Sequence, residues 1–376
     1  MGVYPEVIRQ ALIMFPFLAF LITLPYMIYN YRKYGSVLGI RILVVYSFAL
    51  YLLCIYFLVI LPLPSMEEVS QMTGRRAQLI PFHFLADILK EADIVPGNIC
   101  SLFSVLNEAL FQVLFNVLMI VPFGIYLRYY FRCGLKRTVL FSFFLSLFFE
   151  LTQLSGLYFI YPRGYRLFDV DDLIANTAGG ALGYFIIQPF LKFLPSREKM
   201  DRASYGRGRR VSLSRRIFSL LTDGVCILVL YGICALICGR AGIALPGYIP
   251  ALLVWSYFSL MTLLTGGKTV GKWLTRTCVA ENSGKKICWY QYFLRYGLLW
   301  GFFLLLPEAA ARVRILLERA GIAGNAAAML FSFLEVLFYL VYMIYGAVQI
   351  SRQKQLFYEK WSATRIVSTV REPGEP

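Results

Sequence analysis

Between Arg163 and Asn176 the sequence crowds together groups able to do chemistry. Arg163, Arg166, Asp169, Asp171 and Asp172 come first, and Asn176 follows as the chain turns apolar. Three carboxylates this close could hold Mg²⁺ or Ca²⁺ through oxygen ligands, and either arginine could join them in engaging a phosphate. A plainer role also fits, since an aspartate ahead of a helix caps its unbonded N–H groups and suits its dipole. Upstream, Glu150 and Gln153 stand i, i+3 and share a helical face, and Asn116 sits inside another apolar run. Polar groups within such runs are costly and need partners. Glu150 must therefore be paired, protonated or facing water, and ionised Glu150 with Arg166 is the first pairing to consider.

A second constellation lies downstream. Asp223 follows Arg216 by seven residues, and Lys268 and Lys272 come one apolar run later. Asp223 could pair with Arg216, about two helical turns away, or with either lysine. A structural ion pair and an ion or substrate path are both open readings. Nucleophilic catalysis finds little support, because His83 is the sole histidine and no G-x-S-x-G occurs. The run "GGKTVGK" (266–272) lacks the phosphate-loop spacing and a preceding strand, so nucleotide binding is not expected.

The elements that carry these residues follow from composition. The chain has 376 residues, of which 59% are hydrophobic and 15% charged, with mean hydropathy +0.65. A soluble domain averages about 45–50% apolar and about 25% charged. Apolar runs of roughly 20 residues, enough to span a bilayer, recur along the whole length. The short alternating segments of a membrane β-barrel are absent. The expected fold is therefore an all-α polytopic membrane protein. About nine spans are legible, near 11–29, 38–61, 109–130, 136–156, 172–194, 217–238, 249–266, 290–306 and 326–350. The first run lacks the charged leader and cleavage signal of a signal peptide and is expected to be a retained helix. Eight cysteines give neither a disulfide framework nor zinc spacing, and Cys100 alone falls in a loop expected outside.

Loop charges orient the spans. Of 37 basic residues, 27 fall in one alternating set of loops and ten in the other. The N-terminus is thus expected outside and the C-terminus cytoplasmic. In that arrangement Asn116 and Glu150 lie roughly 10 Å from the outer surface, and Asn176 about one turn in, beneath Arg163, Arg166 and the aspartates. The net charge of +16 is then a topology signal rather than a sign of nucleic acid. The polar stretch 195–216 reads as a basic cytoplasmic linker, able to adhere to anionic headgroups. In the long loop 62–108, residues 79–94 have the spacing of an interfacial amphipathic helix, and 311–320 has it too. The alternation in "TRTCVAENSGKKI" suggests a short hairpin around Asn282–Gly284.

"FNVLMIVPFG" (115–124), "ELTQ" (150–153) and "RLFDVDDLIANTAGGALGY" (166–184), with "LIPF" (79–82) before them, resemble the signature blocks of the VanZ-like family over about 40–190. "RRIFSLLTDGV" (215–225) and "GKTVGKWLTRTCVAENSGKKICWYQYFLRYG" (267–297) resemble the RDD family over about 212–350, although 249–266 lacks an acidic residue usual in its second helix. The layout implied is a VanZ-like membrane domain over 1–194, the linker 195–216, and an RDD-like domain with a cytoplasmic tail over 217–376. The first resemblance implies a bacterial plasma-membrane protein of Gram-positive type, tied to low-level resistance to the glycopeptide teicoplanin. The expected site is an outward-facing polar pocket of Asn116, Glu150, Gln153, Arg163, Arg166, Asp169, Asp171, Asp172 and Asn176, with Arg216, Asp223, Lys268 and Lys272 on the inner side. Its expected partners are membrane lipids or lipid-linked cell-wall precursors. A transporter or lipid translocase, a metal-dependent enzyme acting on a lipid-linked phosphate at Asp169, Asp171 and Asp172, and a scaffold for envelope enzymes are the alternatives. The sequence gives no oligomeric state.

Overall fold

The structure, a computed structural model, describes residues 3–92, 103–244, 246–319 and 325–372. Cys100 and the end of the amphipathic stretch 79–94 lie outside the described residues. The chain is helical with two small sheets, and its elements run in order α1 Val3–Tyr34, α2 Gly39–Ile60, α3 Met66–Gln71, β1 Ala77–Gln78, α4 His83–Glu91, α5 Glu108–Tyr129, α6 Leu135–Leu154 and a short turn α7 Gly156–Phe159. Then come β2 Phe168–Asp169, α8 Val170–Ile187, α9 Arg197–Gly208, α10 Leu213–Arg240, α11 Ile249–Thr265, α12 Val270–Leu274, β3 Thr277–Glu281, α13 Trp289–Arg319, α14 Asn325–Ser351, α15 Phe357–Trp361 and β4 Thr364–Ser368. All nine expected spans fall on helices. Among the described residues, six of these helices are long and apolar enough to cross a membrane, and α11 is a shorter apolar helix.

The chain divides into two compact units, one of 1–23 with 39–200, the other of 24–38 with 201–376. In the first, α5 and α8 touch backbone to backbone. A Cβ on Gly179 would overlap the Val117 carbonyl oxygen, one on Gly183 that of Val121, and one on Gly124 that of Gly180. Small residues allow such close approach, which is how helices associate where lipid removes the hydrophobic drive. Helix α6 packs on α8, with Ser142 against Gly180 and Ser146 bonded to Asn176, and Thr138, Ser142, Ser146 and Glu150 are all buried. Spaced by four, they form one stripe of the helix, and the stripe ends in the carboxylate. Ile55, Ile120, Phe123, Leu127 and Phe149 fill the core beside it. Strand β1 pairs with β2 in parallel, Ala77 opposite Phe168 and Gln78 opposite Asp169, which ties the long loop to the start of α8.

In the second unit, α11 packs on α13 and α12 on α10, around a core of Tyr257, Phe258 and Tyr296. The stretch 195–216 is not the irregular linker its composition suggested, because α9 occupies most of it. Ser204 and Tyr205 are buried there, Tyr205 edge-on to Tyr34 at 5.1 Å, and a helix with a buried face does not need apolar periodicity along its whole length. The expected hairpin at Asn282–Gly284 is half right. The turn exists, with Gly284 N–H donating to the Glu281 carbonyl and Gly284 at φ 79°, but β3 pairs antiparallel with β4 from the C-terminal tail, Val279 opposite Ile366. Residues 285–288 enter α13 instead of returning as a strand. Nor is 311–320 a separate interfacial helix, for α13 runs unbroken through Pro307 to Arg319.

Candidate functional site

Helix α8 begins where four elements of the first unit meet. Asp169 is its N-cap and accepts from the Asp171 N–H at 2.8 Å, and burial pushes the Asp169 carboxyl above its usual range. Asp171 faces the other way: its two oxygens accept from the backbone N–H groups of Phe82 at 2.6 Å and Phe84 at 2.9 Å. Phe82 holds a left-handed φ of 64° to start α4, a conformation uncommon outside glycine that this carboxylate helps fix. Asp172, one residue on, accepts from Asn116 Nδ2 at 2.6 Å. The three aspartates thus point along three directions. Among the described residues no group of three or more histidine, cysteine or acidic side chains could hold a metal, so the divalent cation considered at Asp169, Asp171 and Asp172 has no assembled ligand set.

The arginines are corrected as well. Arg166 does not form an ion pair with Glu150. Its guanidinium donates to the Val59 carbonyl at 2.8 Å and the Leu61 carbonyl at 3.2 Å. These are orphan acceptors at the end of α2, where a helix collects negative potential and lacks N–H partners. Gln153 Nε2 donates to the same Val59 carbonyl at 2.8 Å. Arg163 reaches further out, donating to the carbonyls of Met72 and Gly74, and belongs to the loop. Glu150 is buried and accepts from the Asp169 backbone N–H at 3.0 Å. Asn176 donates to Ser146 Oγ at 2.8 Å, while its buried Oδ1 has no hydrogen-bond partner.

Six of the nine outer residues come together. Asn116, Glu150, Gln153, Arg166, Asp172 and Asn176 line one open cavity of about 380 Å³, walled in part by apolar side chains such as Phe115, Met119 and Phe149. That volume suits a small ligand or headgroup. Arg163, Asp169 and Asp171 do not line it; they build the loop and the helix start that hold its rim. Sequence reasoning missed the Thr138–Ser142–Ser146 stripe, whose four-residue spacing already led to Glu150.

The second unit rearranges the other expected cluster. Asp223 makes no ion pair among the described residues. It accepts from Tyr257 Oη at 2.9 Å, Thr269 Oγ1 at 2.6 Å and the Gly271 N–H at 2.7 Å, fixing the turn into α12. Arg216 bonds Glu359 at 2.9 Å, and Arg295 reaches the same carboxylate at 3.0 Å. Lys272 is buried, but Lys268 lies apart, beside Arg32, Lys33, Arg276 and Arg371. Arg215 and Arg295 are both fully buried, and Arg215 donates to the carbonyls of Thr275, Gly208 and Arg276 at 2.6–2.7 Å and to Ser368 Oγ at 3.1 Å. Neither Arg215 nor Glu359 was singled out from sequence. The doublet Arg215–Arg216 was the available signal, yet spacing alone does not say which arginine turns inward.

Helices able to cross a membrane, with a polar chamber held between them, define a multi-pass helical membrane protein. The VanZ/LLP1 family model matches residues 48–192 and the RDD family model residues 210–362. The chain carries a VanZ-like domain and an RDD domain in tandem, which marks it as a membrane protein of the cell envelope. No curated protein and no solved structure matches it.

Proposed function

We propose that the VanZ-like half binds an envelope lipid or a lipid-linked cell-wall precursor in the Glu150–Asp172 cavity, from the outer face of a bacterial plasma membrane, and so contributes to low-level teicoplanin resistance. The observation that carries this reading is the cavity itself. It gathers donors and acceptors from α2, α5, α6 and α8 against apolar walls, and one buried acceptor, Asn176 Oδ1, has no protein partner. A buried acceptor left unbonded costs free energy that a ligand donor would recover. An ionisable residue within the membrane is a functional-site hypothesis by default, and Glu150 lines the cavity besides accepting the Asp169 N–H. The excess of basic residues in alternate loops supports nine spans with the N-terminus outside, the orientation in which the cavity would open on the outer side.

The test is teicoplanin susceptibility in cells expressing Glu150→Ala or Asn176→Ala. Both variants should reach the membrane at normal levels yet give no protection beyond cells lacking the protein. Full protection by both would sink the reading. Cysteine labelling of the loops from outside the cell checks the orientation independently.

A further inference from the structure

The RDD-like unit holds a cavity unlike the first. It measures about 370 Å³ and lies among α10, α13 and α14, walled by Leu220, Leu299, Trp300, Phe303 and Met343. Its polar edge carries Arg216, Lys272 and Arg295. Asp223 lines the cavity as well and Glu359 stands beside its two arginines, and both carboxylates are already engaged. Glu359 Oε1 takes the two arginines, and Oε2 takes the Leu356 N–H. Asp223 spends its oxygens on Tyr257, Thr269 and Gly271.

Three cations, Arg216, Lys272 and Arg295, thus meet two carboxylates, which leaves one positive charge in excess, and Lys272 is the cation without a direct carboxylate contact. It is 7% exposed, with only the Thr269 hydroxyl near its Nζ, at 3.5 Å. The ammonium rests over the rings of Phe258 at 5.4 Å and Tyr296 at 5.6 Å. Ring faces attract a cation, but they do not neutralise it, and a buried charge without a counter-ion is expensive. Buried donors on lining residues also lack acceptors, Arg216 Nε, Arg295 Nε and Tyr296 Oη toward the polar edge and Trp300 Nε1 on the wall. The chamber is therefore apolar along its length and short of one anion and several acceptor oxygens at its polar edge.

We propose that this cavity binds a single-chain anionic amphiphile, its acyl chain along Leu220, Trp300, Phe303 and Met343 and its acidic head at Lys272. The head is a carboxylate or a phosphate, supplied by a fatty acid or by a lysophospholipid. Either brings the missing charge and oxygens, and the chain replaces lipid that would otherwise fill the apolar part.

Binding of a dansyl-labelled undecanoic acid to the full chain, in nanodiscs of zwitterionic lipid, tests this directly. The acid should bind saturably and its methyl ester should not. Lys272→Gln should weaken the acid about tenfold, the scale of one charge-assisted hydrogen bond, and Lys272→Arg should retain it. Leu220→Trp fills the chamber and keeps every charge, so it should remove binding even if Lys272→Gln misfolds. Displacement by palmitate or by lysophosphatidylglycerol separates the two sources of the head, and either result supports the site. Equal binding of acid and ester overturns the proposal, as does full binding by Leu220→Trp or by a folded Lys272→Gln.

Discussion

Arg215 and Glu359 do more for the second unit than their places in the sequence suggest. Arg215 is fully buried and spreads its donors over three carbonyls and a hydroxyl from three separate segments. A guanidinium meets that geometry with a rigid fork, which an ammonium cannot copy. Arg215→Lys should therefore lose about 2 kcal/mol or more, because acceptors left unbonded in a buried site cost about 1–3 kcal/mol each. Arg216→Lys removes one contact of a partly exposed side chain and should lose less; thermal unfolding of the two variants in detergent ranks them. Glu359 supplies a pH dependence whose sign follows from its surroundings. Burial alone would raise its carboxyl, but the Arg295 and Arg216 guanidiniums outweigh that and hold it below the usual 4.5. A folded value below the unfolded one contributes stability above the unfolded value and loses it as pH falls through the folded value. Melting temperature should then drop as the pH falls below about 4.5, and more gently in Glu359→Gln. A fall of equal steepness in both proteins would assign the acid sensitivity elsewhere.

At the scale of elements, the helices and the residues of the outer cavity were legible because hydropathy and polar interruptions are local signals. Asn116, Glu150, Gln153, Arg166, Asp172 and Asn176 all line one cavity. Their partners were not legible. Arg166 looked like a counter-ion for Glu150, yet the unbonded carbonyls at the end of α2 claim it, and sequence does not show which backbone acceptors a fold leaves open. Strand β4 was invisible for a related reason, since it pairs with a strand on the far side of α13 and α14 and only the local turn at Gly284 leaves a mark. Its importance is testable by truncation. Ending the chain after Val370 keeps β4 whole and removes the exposed, 3.9 Å ion pair between Arg209 and Glu372, a kind of contact that contributes about 0–1 kcal/mol. Ending it after Ala363 removes β4, the partner of β3, and with it the Ser368 hydroxyl that Arg215 uses. The first truncation should leave the melting temperature nearly unchanged, and the second should unfold the second unit or cause aggregation at the bare β3 edge. Close helix contact makes a parallel prediction in the first unit: Gly179→Ala should destabilise by about 1–3 kcal/mol through overpacking, whereas Gly224→Ala, in open surroundings, should be neutral.

At the scale of the whole molecule, the boundary between units falls where the family matches alone would not put it. Those matches begin at residue 48 and residue 210, yet residues 24–38 belong with the second unit. Four contacts explain the assignment. Tyr31 stacks tilted on Phe218 at 5.3 Å, Tyr34 meets Tyr205, and Ser36 donates to the Ser204 carbonyl at 2.7 Å. Gly35 lies against Arg215 and Val370 at a φ of 67°, so a side chain there would clash and be strained as well. Residues 24–38 thus cover the buried arginine that ties α9, α12 and β4 together. A fragment of 201–376 should accordingly fold poorly, since removing that cover opens Arg215 and the buried ring of Tyr205 to solvent. Joining 24–38 to its start through a flexible linker should restore a cooperative melt, and Gly35→Val within the joined segment should abolish the gain. If 201–376 alone melts as cooperatively as the joined fragment, then residues 24–38 lie on the second unit without stabilising it, and the RDD-like half is self-sufficient.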